Sequence, residues 1–393
     1  MNMNNKNWVS VWGNAVSIAE HHPEAYAKYI TLRYPVYIPF DGDTLRFTFD
    51  NFCGSEAVTV TRATVSAATS PVYEKMPLAC PCKKETICDI TFSKNESVTM
   101  EAHQTAVSDP VSFPVKKGMT LTVSLYFADF TLMQSAVLVT GPLSKGFFSL
   151  GDQTHADTLP MDTTKTTNWF YFLSNIELMT AEENHTVICY GDSITAGAWP
   201  DYLTLLARQN PDNHTAFIRR ATSGSRVLRQ YECITYDSYG LKGTNRFPHE
   251  IPTTGADTVI IQQGINDIIH PIGIETNPFR PMSDLPTAKA LIDGYRYYIE
   301  EAKKLHLKVY MGTLLPIFGW RTYATFRDDL RNELNAWIRS AKEIDGCIDF
   351  DLALRGSENP SAFREGFDSG DHLHPSSKAY QAMAECAYEV LRK

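Results

Sequence analysis

The chain changes rhythm near its middle, and that change limits what it can fold into. Up to about residue 180, short β-prone runs alternate with turn signals. Beyond it, apolar strand-like runs alternate with long helical patterns. Leu32–Phe40, Thr44–Phe49, Ala57–Ala67, Ser97–Ala102 and Thr120–Phe127 are the β-prone runs, separated by Asp41-Gly42-Asp43, Ser108-Asp109-Pro110 and Lys116-Lys117-Gly118. In Leu45-Arg46-Phe47-Thr48-Phe49 the apolar residues alternate, as a half-buried strand requires. Short strands at this spacing predict an all-β sandwich, jelly-roll-like in size. Met76–Lys94, rich in Cys, Lys and Pro, reads as a long loop. The run Trp169-Phe170-Tyr171-Phe172-Leu173 closes this part, before a link at Thr180–Glu183.

In the second half, strands are expected near Val187, Phe217, Val259, Val309 and Ile348, and helices over Trp199–Gln209, Pro286–Leu305, Phe326–Ala341 and Ser376–Leu391. Within the second helix Leu291, Tyr295, Tyr298, Ile299, Ala302 and Leu305 recur on one face. Helices between buried strands imply βαβ crossovers and a parallel sheet. The expectation is a three-layer α/β/α sandwich, flavodoxin-like in its winding. At 393 residues the chain exceeds what one core normally serves. Two domains are therefore expected, an accessory β domain over 1–179 and an α/β domain over 184–393.

Val187-Ile188-Cys189-Tyr190 breaks at Gly191 and presents Asp192-Ser193 before a helical segment beginning near Ala198. Open α/β sheets bind ligands just outside the carboxyl ends of their strands, which is where Ser193 falls. A serine is a weak nucleophile until a base takes its proton and donors receive the oxyanion. The base candidate is His374 in Gly370-Asp371-His372-Leu373-His374-Pro375, where Asp371 can fold back onto the imidazole and leave the far nitrogen for the serine. Oxyanion donors can come from Thr222-Ser223-Gly224-Ser225-Arg226 and from Gly264-Ile265-Asn266-Asp267, each following a strand-like run. Gly224 could offer a backbone N–H, and Asn266 a side-chain N–H.

Each fragment alone has a plainer reading, as a turn or a common loop. His372 and His374 could also be zinc ligands, but a third and fourth ligand have no obvious source. His372 reads better as a structural or rim residue. No Gly-x-Ser-x-Gly elbow surrounds Ser193, which argues against an α/β-hydrolase.

Taken in order, Gly-Asp-Ser, the glycine block, Gly-x-Asn-Asp and Asp-x-x-His-Pro resemble the SGNH (GDSL) hydrolase family. The resemblance implies Ser193 as nucleophile, His374 as general base and Asp371 as its orienter. It also implies an oxyanion hole of the Ser193 and Gly224 amides with Asn266 Nδ2. The second block departs from the common Asn-x-Gly-x-x-Gly, reading Arg220-Ala221-Thr222-Ser223-Gly224.

Segments such as Trp8-Val9-Ser10-Val11-Trp12, Gly312-Thr313-Leu314-Leu315-Pro316 and Asn335-Ala336-Trp337-Ile338-Arg339 are similar to a two-domain subgroup of acylhydrolases. Some members of that subgroup lie among xylan-degrading enzymes of gut and rumen bacteria. The implied substrate is an acetylated plant carbohydrate, as for an acetyl xylan esterase. A lipid or aryl esterase, or a thioesterase, is the alternative. The third class, a non-catalytic binding module, fits poorly with a complete set of catalytic residue types.

A formal charge of −9 disfavours nucleic acid and anionic membrane surfaces as partners and suits a neutral substrate such as a sugar ester. No apolar run approaches the roughly 20 residues of a membrane-spanning helix. No cofactor and no metal is called for. Cys80-Pro81-Cys82 with Cys88 could form a zinc knot or a disulfide, but free thiols are favoured in a chain whose first residues lack an export signal. The cytoplasm is the expected compartment. The β domain could bind carbohydrate, buttress the active site or mediate homo-oligomerisation, the last two being favoured. Walls of the substrate pocket are expected from Trp199, Arg226, Ile268–Pro271, Phe318–Tyr323 and Phe367, with Trp199, Trp320 or Phe367 forming an acyl pocket or a sugar-stacking face.

Overall fold

The computed structural model describes residues 6–19 and 25–392. Met1 to Asn5, the start of the segment read for an export signal, lie outside the described residues. The chain divides into two units, Met1–Thr186 with Pro211–Ile218, and Val187–Asn210 with Arg219–Lys393.

The first unit is rich in antiparallel strands. One sheet runs Lys6–Gly13, Leu173–Ala181, Gly42–Asp50 and Thr105–Val107, with Val111–Val115 also paired to Gly42–Asp50. A second runs Lys165–Thr167, Gly146–Leu150, Ile30–Tyr37, Thr120–Phe127, Arg62–Ala67 and Cys88–Ile90. Two expectations change here. The single run Ala57–Ala67 is two strands, Val58–Val60 and Arg62–Ala67, which belong to different sheets. The stretch Met76–Lys94 is not all loop, because Cys88–Ile90 pairs with Ala63–Val65 as an edge strand. All eight cysteines are free, and Cys80 and Cys82 are buried.

The second unit is organised by a five-stranded sheet. Its strands in chain order are β1 (His185–Gly191), β2 (Thr215–Ala221), β3 (Ala256–Gln262), β4 (Lys308–Gly312) and β5 (Gly346–Ile348). Their spatial order is β2-β1-β3-β4-β5, with β3–β4 and β4–β5 parallel. Strands covered on both faces read as continuous apolar runs. Accordingly Ile188, Cys189, Tyr190, Val259, Ile260 and Ile261 are all buried. In such an order the crevice opens where the winding reverses, outside the carboxyl ends of β1 and β3.

The helices are α1 (Ser193–Ala196), α2 (Trp199–Arg208), α3 (Gly243–Glu250), α4 (Ile265–Ile269), α5 (Ala288–Lys304), α6 (Thr325–Ser340), α7 (Phe350–Leu354) and α8 (Ser377–Leu391). Caps set their ends. The Thr287 hydroxyl accepts from Ala290 N–H at the start of α5, and that of Ser376 from Ala379 N–H at the start of α8. Leu305, placed on the α5 stripe from the sequence, is the C-cap residue and 42% exposed.

Helix α3 escapes sequence reading because Pro248 lies inside it. Proline removes the N–H that would bond the Thr244 carbonyl, and the Tyr297 hydroxyl donates to that carbonyl instead, at 3.4 Å. The helix is held by Phe247, stacked on Tyr298 at 4.5 Å and edge-on to Tyr190 at 4.9 Å. Phe247→Ala should therefore cost about 3–5 kcal/mol, the usual range for emptying a buried phenyl site. Urea unfolding followed by tryptophan fluorescence reads this, and a loss below about 1 kcal/mol would contradict the packing.

Candidate active site

The corner after β1 is built from its own residues. Gly191 has no room for a side chain, since a Cβ there would stand 2.4 Å from the Gln262 carbonyl and from Thr195 Oγ1. Asp192 caps α1, its Oδ1 accepting from Ile194 N–H at 3.1 Å. Ser193 is then the first residue of the helix, with its hydroxyl directed to the loop before α8.

That loop is shaped by two aspartates. Asp368 accepts from Gly370 and His372 N–H at 2.8 and 2.9 Å, and Asp371 Oδ1 accepts from Leu373 and His374 N–H at 3.0 and 2.8 Å. His374 is thereby presented with Nδ1 2.6 Å from Asp371 Oδ2 and Nε2 2.9 Å from Ser193 Oγ. Burial alone would lift the Asp371 carboxyl, but the hydrogen bonds from the His374 ring and from the His374 and Leu373 amides outweigh it and hold the pKa at about 2. His372 stands apart from the serine, paired through Nδ1 to Asp368 Oδ2 at 2.5 Å and lying against Gly319. Among the described residues no three His, Cys, Asp or Glu side chains converge as metal ligands.

The turn after β2 is tied to the serine corner through Thr222 N–H, which donates to the Gly191 carbonyl at 3.2 Å. Gly224 there has φ +76°, and a Cβ would meet the Tyr239 ring at 2.3 Å, so glycine is required on both counts. Asn266, on α4 after β3, donates from Nδ2 to the Ser225 carbonyl at 3.1 Å. A carboxamide has two such hydrogens, so one remains for a ligand. Ser193, Gly224, Asn266, Asp371 and His374 thus come from three strand ends and the last loop.

Several supporting groups were not singled out from sequence. Arg246 on α3 is buried and donates to the Gly191 carbonyl (3.3 Å), the Arg220 carbonyl (3.1 Å), Ser225 Oγ (2.8 Å) and the Glu250 carboxylate (3.0 Å). Asp267 accepts from Val227 and Leu228 N–H at 2.7 and 3.0 Å, pinning the chain beyond the glycine turn. Gln263 Nε2 donates to Ser225 Oγ at 2.9 Å. The one available signal was the Arg-x-x-x-Glu spacing of Arg246 and Glu250 beside an apolar Phe247. Trp199 requires a correction. It is fully buried, tilted against Phe350 at 5.5 Å with Nε1 donating to Thr195 Oγ1 at 3.3 Å, and so belongs to the core rather than to a pocket wall. Phe367 is buried beneath Arg364, and Trp320 is half-buried.

Residues 189–382 match the model of the GDSL-like Lipase/Acylhydrolase family. This unit belongs to the GDSL (SGNH) hydrolases, esterases and acylhydrolases, and Ser193, Asp371 and His374 all lie within the matched span. Among solved structures, a GDSL-like lipase from Bacteroides thetaiotaomicron is 20% identical, over 54% of this chain and 89% of that one, with a TM-score of 0.40. An acetyl xylan esterase from Geobacillus stearothermophilus is 17% identical, over 53% of this chain and 95% of that one, with a TM-score of 0.40. A member of the lipolytic G-D-S-L family from Veillonella parvula is 17% identical, over 53% of this chain and 99% of that one, with a TM-score of 0.35. No curated protein matches the chain. Among the described residues no helix is long and apolar enough to cross a membrane.

Asp192 supplies a pH signature. Burial lifts its carboxyl to about 7 against the Ile194 hydrogen bond and the Arg246 charge, and its Oδ2 has no partner among the described residues. A raised folded-state pKa gives stability that is present below the ordinary carboxylate range near 4 and lost as pH rises through about 7. Asp192→Asn does not titrate, so its urea midpoint relative to wild type should climb between pH 4 and pH 8. Parallel stability profiles would contradict a neutral carboxyl at this position.

Proposed function

We propose that the chain is a serine esterase releasing short acyl groups, acetyl above all, from plant-derived carbohydrates such as acetylated xylo-oligosaccharides. The observation that carries the mechanism is the unbroken relay from Ser193 Oγ through the His374 ring to Asp371, at 2.9 and 2.6 Å. Ser193 Oγ attacks the ester carbonyl while His374 Nε2 takes its proton. Asp371 holds the Nδ1–H and stabilises the imidazolium. The oxyanion is received by the Ser193 and Gly224 amides and the free hydrogen of Asn266 Nδ2. Collapse breaks the ester C–O bond, and His374 returns the proton to the leaving alcohol. Water, deprotonated by the same nitrogen, then cleaves the acyl-enzyme and frees the acid.

The carbohydrate substrate is supported by the resemblance of segments in both halves, Trp8–Trp12 and Gly312–Pro316 among them, to the two-domain acylhydrolase subgroup. A second reading, esterase or thioesterase action on longer chains, draws on the exposed Ile234, Ile274, Phe279, Met282 and Phe318 of the loops after β2, β3 and β4. Chain length separates the two. Wild type, but not Ser193→Ala, should release acetate from acetylated xylo-oligosaccharides, with p-nitrophenyl ester hydrolysis falling beyond short acyl groups. Activity confined to long-chain esters would replace the first reading by the second.

Two substitutions grade the roles. Asn266→Ala should lower kcat by about 10²–10³, the usual loss for one oxyanion donor, and an unchanged kcat would remove Asn266 from the reaction. Asp371→Asn should cost up to about 10⁴ in kcat, as when the tautomer of a catalytic imidazole is no longer fixed. A near-normal rate there would mean that another group orients His374.

A further inference from the structure

We propose that the loops after β2 and β3 form a carboxylate-binding subsite on Arg280, so that the preferred ester is carried by an acidic sugar. The inference rests on the esterase reading above and extends it to the substrate's charge. Arg280 is only 7% exposed, yet among the described residues it has no carboxylate partner. The nearby carboxylate, Asp284, is taken by Arg226 at 3.3 Å and Arg229 at 3.8 Å. Arg280 Nε has no hydrogen-bond partner among the described residues, and its Nη2 makes one long bond, to the Tyr239 hydroxyl at 3.5 Å. Its guanidinium lies 4.4 Å from the Tyr236 ring centroid and 5.8 and 5.9 Å from those of Tyr231 and Tyr239.

A guanidinium cannot shed its proton, so its charge persists in this enclosure. Aromatic faces offset part of the lost hydration, but they give the Nε edge of the planar donor fork no acceptor. A carboxylate fits that fork with two parallel hydrogen bonds. The neighbouring imidazole adds no charge of its own to the cluster. Burial, with the charges of Arg280, Arg226 and Arg321 beside it, holds His270 well below its ordinary pKa and therefore uncharged.

The cluster adjoins the reacting groups. Tyr239 lies against Gly224, where a Cβ would meet its ring at 2.3 Å. His270 follows Asn266 by one turn of helix and packs on Tyr239 at 5.1 Å, while a 3.2 Å hydrogen bond joins its Nδ1 to the Tyr231 hydroxyl. Gly224 thus lies against one of the rings that surround Arg280, and the Asn266 carbonyl accepts from the backbone N–H of His270, which packs on that same ring. Tyr236, half-buried, and Phe279, exposed and edge-on to it at 6.3 Å, add aromatic surface for a pyranose ring. Aromatic surface beside a guanidinium fork favours a sugar acid over a small inorganic anion.

Calorimetric titration of the full chain with glucuronate, glucose and inorganic phosphate tests this. Glucuronate should bind about tenfold or more tightly than glucose, and Arg280→Gln should abolish that preference. Arg280→Lys should retain part of it, and Tyr236→Leu should weaken glucuronate binding. These two variants also serve if Arg280→Gln does not fold. Equal binding of the two sugars by wild type, or a preference surviving Arg280→Gln, would overturn the proposal, as would phosphate binding more tightly than glucuronate. If no sugar ester releases acetate but the glucuronate preference depends on Arg280, the deacetylase reading fails and the subsite stands.

Discussion

The catalytic unit depends on one buried cation. Arg246 gathers the carbonyl that precedes the serine corner, the carbonyl at the end of β2, the hydroxyl of Ser225 and the carboxylate of Glu250. Burial alone would weaken its hold on the proton, but Glu250 and Tyr190 more than restore it. Breaking a buried ion pair by removing one partner commonly costs about 3–5 kcal/mol, because the other charge is left stranded. Here the loss would also release the two segments that carry the proposed nucleophile and the proposed oxyanion donor Gly224. Gln263, bonded to Ser225 Oγ from the end of β3, brings the third strand into the same cluster.

Neighbouring carboxyls are driven in opposite directions by their surroundings. Asp371 receives N–H donors and an imidazole and titrates near 2, while Asp192, enclosed and half-satisfied, is raised to about 7. The first keeps a charge where His374 must be oriented and its positive form stabilised. The second keeps its proton below about pH 7, which lowers the negative charge beside the serine where the proposed oxyanion would develop. The cationic, aromatic cluster of Arg280 with Tyr231, Tyr236 and Tyr239 extends the same logic outward, to the substrate carboxylate proposed above.

Much of the site was legible because its parts are local. Asp371 and His374 are three residues apart in one loop, and Ser193 follows an apolar run that can only be a buried strand. Helix ends were legible where a capping Thr287 or Ser376 marks them. What escaped reading depends on partners far away in the chain. Pro248 argues against a helix until Tyr297 is seen to satisfy the freed carbonyl. Trp199 looks like a pocket wall until Phe350 is placed beside it. The run Ala57–Ala67 divides because Val58–Val60 pairs with Val98–Met100 and Arg62–Ala67 with Thr120–Phe127, a choice made by the partner strands. Likewise Arg246 is an ordinary charged residue in sequence, and its role follows from three loops meeting on it.

The most direct test of the central claim is mass spectrometry of the protein after brief reaction with a fluorophosphonate, which traps an activated serine. The relay described here predicts a single covalent adduct on Ser193 that forms in wild type and fails to form in His374→Ala. An adduct elsewhere, or equal labelling of Ser193 without His374, would contradict it.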